Sequence, residues 1–336
     1  MKAYIKAVSY YLPSTVLTNQ DIEKEFPEWS AEKVTKKVGI EQRHIASFAE
    51  TAGDMACCAA EKMFAEHSID RSCIDFVLLC TQSPDYFLPS TACVIQERLH
   101  LPKACGALDF NLGCSGYVYG LSLAKGLIIS GVAKNVLLIT SETYTKYIHP
   151  KDKGNRTIFG DGAAASLISS EGFAEIGEFV LGTDGSGAEH LIVKSGASRH
   201  PQQYDELRYD DSKNPISGDY LFMNGSEIFS FTILTVPKMI KDVLLKNKLS
   251  RDDISLYVFH QANAYILDFL RKKMKIDEDK FYLNLHKIGN TVSSTIPIAI
   301  YDAQKNGKLC GCIVLAGFGV GLSWAATIIK IKNERL

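Results

Sequence analysis

No apolar run in this chain approaches the roughly 20 residues of a membrane-spanning helix. The N-terminus, MKAYIKAVSYYLP, alternates like a strand and lacks the apolar core and small-residue cleavage site of a secretion signal. Charge of one sign is lacking too: Lys plus Arg number 37 against 38 Asp plus Glu, a formal charge of -1. That balance argues against a general nucleic-acid binder and leaves room for a local basic patch facing one acidic partner. Cysteine is not scarce, but the spacing of a disulfide framework is missing. The 9 cysteines fall at 57, 58, 73, 80, 93, 105, 114, 310 and 312. Adjacent Cys57 and Cys58 lie in the helix-like MACCAAEKMF, where cysteine packs as a small hydrophobe. Cys310 and Cys312 are the only tempting metal pair, and no second pair or nearby histidine completes a tetrahedral set, so no metal is expected. These absences predict a cytoplasmic protein in a reducing compartment.

What is present is core-forming sequence: 46% hydrophobic and 22% charged residues, enough for one large domain or two of ordinary size. Apolar runs alternate with amphipathic segments, as in an α/β protein. Strands are predicted at 74–81, 106–112, 135–142, 163–170, 256–261, 281–286, 312–318 and 323–331, with helices between them. The polar segment 195–225, with its Pro, Gly and Asp, reads as a long loop or lid.

The two halves echo each other. IDRSCIDFVLLCTQ, from Ile69, matches LSRDDISLYVFHQA, from Leu249, so that Cys80 aligns with His260. Gly113-Cys114-Ser115 matches Gly289-Asn290-Thr291, each after an apolar strand and before a helix-like run. FGDGAAASLI, from Phe159, matches FGVGLSWAATII, from Phe318. Matches in one order predict a duplicated unit, with halves 1–171 and 172–336, and their interleaved strand and helix signals exclude a solenoid.

Equivalent strand ends of a duplicated α/β unit lie close together, so Cys114, His260 and Asn290 are the candidate catalytic residues. A free thiol has a pKa of about 8.5 and is mostly protonated near neutrality. A helix N-terminus beside Cys114 is expected to lower that pKa and to hold an oxyanion. The following run, YVYGLSLAKGLIIS, is apolar nearly all round and predicts a central buried helix. Gly116, Gly120 and Gly126 would let it approach neighbouring backbone. Small residues around Cys114 suit a strained nucleophile elbow. Asn290 is also readable as a plain helix cap, and His286 rivals His260 for any imidazole role. Asp161 in FGDG reads as a structural hydrogen-bonder, because an acid there would repel phosphate.

LGCSGYVYGLSLA, FGDGAAA, VFHQAN, GNTVSSTIP and GFGVGLSW together resemble the 3-oxoacyl-[acyl-carrier-protein] synthase III family over essentially the whole chain. The resemblance implies a thiolase fold, a duplicated αβαβα sandwich with two mixed five-stranded sheets, and a homodimer. It implies no cofactor beyond a coenzyme A thioester as substrate. An acyl thioester, CoA- or carrier-bound, would acylate Cys114, with the oxyanion on the backbone N–H groups of Cys114 and Val320. Malonyl-carrier protein would then lose CO2 while His260 and Asn290 stabilise the enolate. That carbanion would attack the acyl group to give a 3-oxoacyl product, so no carboxylate base is required. The same resemblance marks Arg271, Lys272 and Lys273 for docking acyl carrier protein. It marks Trp29, Lys37 and Lys153 for CoA, and Leu88 for reaching a partner's acyl pocket.

Degradative thiolases carry a second cysteine where this chain has Gly317-Phe318-Gly319, and hydroxymethylglutaryl-CoA synthases a glutamate where LLCTQSPD offers Gln82. A papain-like hydrolase shares Cys, His and Asn but not the repeat or the local signature. Non-catalytic paralogues typically lose the cysteine. An acyltransferase forming C–O or C–N bonds without decarboxylation is the remaining alternative. Departures from the housekeeping pattern are Lys33 and Lys37 where tryptophan and arginine are expected, Trp29 displaced upstream, and Lys153 for an arginine. Tyr265 also stands after HQAN, Val320 replaces a glycine, and the 195–225 loop is longer. They predict a divergent member with a non-housekeeping primer.

Overall fold

Strands that pack on both faces lose the apolar–polar alternation of a half-exposed sheet, and the computed structural model, which describes residues 2–210 and 214–332, is built around such strands. They run Tyr4–Tyr11 (β1), Phe76–Cys80 (β2), Gly106–Phe110 (β3), Asn135–Glu142 (β4) and Gly162–Ser169 (β5). Ala174–Thr183 (β6), Ile254–Phe259 (β7), Cys312–Gly319 (β8) and Ser323–Ile331 (β9) follow. The helices that cover them are Ala52–His67 (α1), Thr91–Arg98 (α2), Gly116–Ile129 (α3), Gly225–Lys246 (α4), Ala264–Lys273 (α5) and Thr295–Lys305 (α6).

The strand order is β7-β8-β9-β6-β1-β5-β4-β2-β3. It is continuous only because β1 and β6 share the pairs Tyr4↔Glu175 and Ile5↔Ala174. On one side of that seam β1, β5, β4 and β2 are joined antiparallel, antiparallel, parallel. On the other, β6, β9, β8 and β7 repeat the same senses. β3 adds a parallel fifth strand to the first sheet. Its counterpart, predicted at 281–286, shrinks to one parallel bridge, Tyr257↔Phe281. The Gln261 side chain is the reason: its amide donates to Tyr282 O and its carbonyl accepts from Asn284 N–H, occupying groups a ladder would use. β6 went unanticipated, since AEIGEFVLGT mixes Gly and Glu into a half-exposed pattern.

Alternation along the strands sorts side chains into three cores. Val77 and Leu79 face outward with Met55, Ala59 and Met63 of α1. Leu78 faces inward, where α3 (Val118, Leu121, Ala124) and α6 (Ile296, Ala299, Ile300) fill the space between the sheets. In the second half Ile313 and Leu315 face that same central core, whereas Val314 and Ala316 meet Val236 and Ile240 of α4 and Leu267 and Leu270 of α5. The layers are therefore α, β, α, β, α. Gly116 packs on Cys80 Sγ, and a Cβ on Gly120 would stand 2.5 Å from Leu138 Cδ1, so both permit the central helix to approach the sheet. Gly126 faces open space, contrary to the expectation for it.

The polar segment from Ser195 folds back in short pieces: Arg208–Tyr209 pairs with Pro215–Ile216, and Phe222–Met223 with Leu191–Ile192. Its residues 211–213 lie outside the described residues. No helix among the described residues is long and apolar enough to cross a membrane.

Candidate active site

Cys114 stands between β3 and α3, one residue before the N-cap Ser115, and is buried. Two glycines at the end of β8 make room for it. A Cβ on Gly317 would lie 2.5 Å from Cys114 O, and one on Gly319 would lie 2.8 Å from Cys114 Sγ. Such separations exclude any side chain there. Ser115 Oγ and Ser323 Oγ meet at 2.5 Å and tie the elbow to β9.

His260 directly follows β7 and continues its ladder, donating its N–H to Ala316 O at 2.8 Å. Nδ1 lies 2.7 Å from Thr295 Oγ1, and Phe318 packs edge-on against the ring at 5.9 Å. Burial pushes the imidazole down to about 3, with a hydrogen bond to the Val292 backbone pulling the other way, so His260 is neutral near pH 7.

Asn290 follows Gly289, whose φ of 79° is left-handed. Its N–H donates to Ile158 O at 2.9 Å and its carbonyl accepts from Gly160 N–H at 3.0 Å, binding the second-half elbow to first-half backbone. Oδ1 accepts from Val292 N–H at 2.9 Å and Nδ2 points toward Ala262 O at 3.4 Å. Asn290 does not cap α6, whose N-cap is Ser294.

Cys114, His260 and Asn290 line one cavity of about 260 Å³, together with Phe159, Leu191, Met223, Phe229, Tyr265 and Phe318. A second cavity, about 860 Å³, shares Leu191 and is walled by Gln82, Tyr86, Phe87, Asn111, Tyr144, Tyr147, Leu221 and Val320. The thiol therefore sits in an apolar cluster bordering both spaces.

One expectation is corrected. The helix N-terminus does not leave Cys114 with a lowered pKa. Burial pushes the thiol up to about 12 and the charge of Glu142 adds to that, outweighing the N–H groups of Cys114 and Val320 that favour thiolate. Desolvation wins because the flanking walls are apolar. The resting site holds a neutral thiol beside a neutral imidazole.

Glu142 escaped the sequence reading. It ends β4 fully buried, and its carboxyl accepts from Gln82 N–H, Ser83 Oγ and Ser293 Oγ. Burial pushes it up to about 8. The signal was an acid closing a strand, NVLLITSE, that is otherwise apolar on both faces. Asp161 behaves as expected, accepting from Ala46 N–H, Thr145 N–H and Thr145 Oγ1. His286 is exposed and bonds Gly39 O, outside the cavity.

The residues marked for substrate handling lie farther out. Trp29 and Lys37 stack at 5.3 Å over a small cleft of about 90 Å³. Lys153 pairs with Glu28 and lies 5.4 Å from the ring of Phe26, whose carbonyl accepts from Trp29 N–H. All three thus surround one turn. On α5, Arg271 and Lys272 share Asp268 at 2.9 and 2.6 Å, and Arg271 also turns toward Ile276 O. Lys272 and Lys273 flank a shallow pocket with Tyr265 and Phe269. Leu88 is 83% exposed, next to Phe87 at 86%.

A duplicated layered sandwich with cysteine, histidine and asparagine on one cavity defines a condensing acyltransferase of the thiolase fold. The chain matches 3-oxoacyl-[acyl-carrier-protein (ACP)] synthase III over residues 108–185 and the C-terminal part of that family over 244–331. A beta-ketoacyl-[acyl-carrier-protein] synthase III of Caldanaerobacter subterraneus is 35% identical over 332 residues, spanning 98% of this chain and 97% of that protein. A crystal structure of a 3-oxoacyl-(acyl-carrier-protein) synthase III superposes with TM-score 0.96 at 47% identity, covering 98% of this chain and 100% of that one. A 3-oxoacyl-(acyl-carrier protein) synthase from Burkholderia xenovorans LB400 gives 0.89 at 34%, covering 98% and 94%. The chain belongs to the 3-oxoacyl-[acyl-carrier-protein] synthase III family.

Proposed function

We propose that this chain condenses an acyl primer with malonyl-acyl carrier protein, with Cys114 as nucleophile and His260 and Asn290 as enolate-stabilising donors. The observation that carries this reading is the convergence of these three side chains on one apolar cavity. In the first half-reaction Sγ attacks the thioester carbonyl, the donor C–S bond breaks, and the thiol proton leaves on the departing sulfur. The N–H groups of Cys114 and Val320, which already act on the sulfur, bind the developing oxyanion. In the second, the malonyl C–COO bond breaks to release CO2, and its electron pair forms the enolate. His260 and Asn290 donate to the thioester oxygen; the carbon then attacks the acyl carbonyl and frees Cys114, which regains a proton from solvent.

A neutral imidazole donates from Nε2 only if Nδ1 is the acceptor; in the working tautomer we assign, Thr295 Oγ1 turns its proton from Val292 O, 3.1 Å away, to Nδ1 at 2.7 Å. The 260 Å³ cavity would hold the thioester arm and the 860 Å³ cavity the acyl chain, which favours a primer larger than acetyl. Val320, with its N–H toward the sulfur and its side chain in the larger cavity, would sit at the junction. We assign Lys272 and Lys273, with Arg271 behind them, to carrier-protein docking. The turn at Trp29, with Lys37 and Lys153, is assigned to a CoA donor. Leu88 and its exposed neighbours are assigned to a homodimer contact. The units 1–171 and 172–336 are read as the duplicated halves, and a cytoplasmic address fits nine unpaired thiols. No bound cofactor enters this scheme.

The test is intact-mass spectrometry after incubation with a panel of acyl-CoA and acyl-carrier donors, coupled to CO2 release from malonyl-carrier protein. A donor-dependent mass gain is expected in wild type and absent in Cys114→Ala. Gain in both proteins, or in neither, would sink the nucleophile assignment. Acylation without CO2 release would instead favour acyl transfer to oxygen or nitrogen.

A further inference from the structure

The buried carboxyl of Glu142 has no part in the chemistry above. Among the described residues it belongs to no ion pair, and all its partners are neutral donors. Ser293 Oγ donates to Oε1 at 3.0 Å, Ser83 Oγ donates to Oε2 at 3.1 Å, and Gln82 N–H reaches both oxygens at 3.2 and 3.0 Å. Gln82 and Ser83 lie just past the end of β2, in the first half. Ser293 lies in the turn that follows Asn290, next to Val292, whose N–H is held by Asn290 Oδ1 and whose backbone meets His260. Ser83 Oγ also accepts from Thr143 N–H at 3.3 Å, closing the network on the residue after β4. One carboxyl thus joins the end of β2 to the segment that follows Asn290 and touches the His260 ring through Val292 and Thr295.

We propose that Glu142 is a positioning residue: its carboxyl clamps the end of β2 to the Val292–Ser294 turn and fixes His260 and Asn290 against Cys114. This rests on the roles proposed above for those three side chains. An unmade bond at a fully buried acid is costly, so the clamp is set by folding and not by substrate. The titratable groups facing it are Cys80, Cys114, Tyr144, Tyr147 and Asp161, none of them basic. Burial pushes the carboxyl up to about 8 against the pull of its three donors, and its negative charge opposes a thiolate at Cys114.

Two variants read this without requiring turnover to survive. Glu142→Gln keeps an acceptor and a donor in place and removes the charge. Iodoacetamide alkylation of Cys114, followed by intact mass between pH 6 and 10, is expected to move to lower pH, with the rate at pH 9 rising about threefold. Ser293→Ala cuts the second-half tether and leaves Glu142 in place. Malonyl decarboxylation is expected to fall about tenfold, since misplacements on the order of 1 Å cost more than that. Acylation of Cys114 should change less than about twofold. Equal loss of both half-reactions in Ser293→Ala overturns the positioning role, and an unmoved alkylation profile in Glu142→Gln overturns the coupling of the clamp to the thiol. A wild-type chain that never acquires an acyl group would refute the proposed function, while the alkylation profile would still report on Glu142.

Discussion

The first-half elbow holds Cys114 by crowding: Gly317 and Gly319 of the second half pass so close that no side chain fits beneath the sulfur. The second-half elbow holds Asn290 by hydrogen bonds to Ile158 and Gly160 of the first half and by its own side chain on Val292. Each elbow is thus fixed by the opposite half. Topology brings the two ends together, but the local devices differ because the groups differ. A thiol needs an apolar wall and two N–H groups, whereas an amide must be turned so that its NH2 faces the cavity.

The largest expected break in this comparison is Asn290→Ala. It leaves the first elbow untouched and removes a donor aimed at developing charge, worth roughly 10² to 10³ in rate. Malonyl decarboxylation should fall by that factor while mass gain at Cys114 persists. Equal loss of both half-reactions would show that the elbows are not separable.

Next in size is the pH dependence of stability that Glu142 contributes. Its carboxyl titrates near 4.5 when unfolded and is pushed up to about 8 in the fold. Between those values the folded state holds a proton that the unfolded state has lost. Its contribution is therefore fully present below about 4.5 and is lost as pH rises to about 8. Full linkage would be about 1.4 kcal/mol per pH unit, and relaxation of the site should reduce the total to about 2 kcal/mol. Denaturant midpoints of wild type and Glu142→Gln, measured from pH 5 to 9, should diverge with that sign. Parallel curves would mean that the carboxyl is not held neutral.

A smaller effect is expected at Thr295, whose Oγ1 lies 2.7 Å from His260 Nδ1 on the helix that follows the second elbow. Thr295→Val should lower decarboxylation about tenfold, the order of a lost partner that orients an imidazole, and Thr295→Ser should restore it. Failure of serine to rescue would assign the loss to packing.

Much of this arrangement was legible because duplication writes itself into sequence twice. The alignment of LGCSG with IGNTV and of LLCTQ with VFHQA set Cys114, Asn290 and His260 at equivalent loops, and the structure gathers them on one cavity. What escaped depends on burial in three dimensions. Gln261 reads as a polar residue after a strand, yet its amide takes the place of a ladder and removes the strand predicted at 281–286. Glu142 reads as a polar strand end, yet the residues that enclose it come from segments far away in the chain. The thiol of Cys114 was expected to be acidified by a helix terminus, and burial in an apolar cluster, with the charge of Glu142, outweighs the N–H groups of Cys114 and Val320 that favour thiolate.

The smallest effect tests whether the second half alone meets the carrier protein. Lys272 is already shared with Asp268, and exposed pairs of this kind are worth about 0.2 to 1 kcal/mol. Lys273 is exposed at the end of the same helix, beside the pocket formed with Tyr265 and Phe269. Reversing both charges therefore removes two screened attractions and adds two repulsions toward an acidic partner. Lys272→Glu with Lys273→Glu should raise KM for malonyl-carrier protein about fivefold, and the increase should shrink at high salt, where the screening length drops to about 3 Å. Acylation of Cys114 from a small thioester supplies the control, because that reaction involves no protein partner. A KM that does not move, or one that moves equally at all salt concentrations, would take the docking role away from α5 and leave the carrier protein's footprint to be sought around the Trp29 turn.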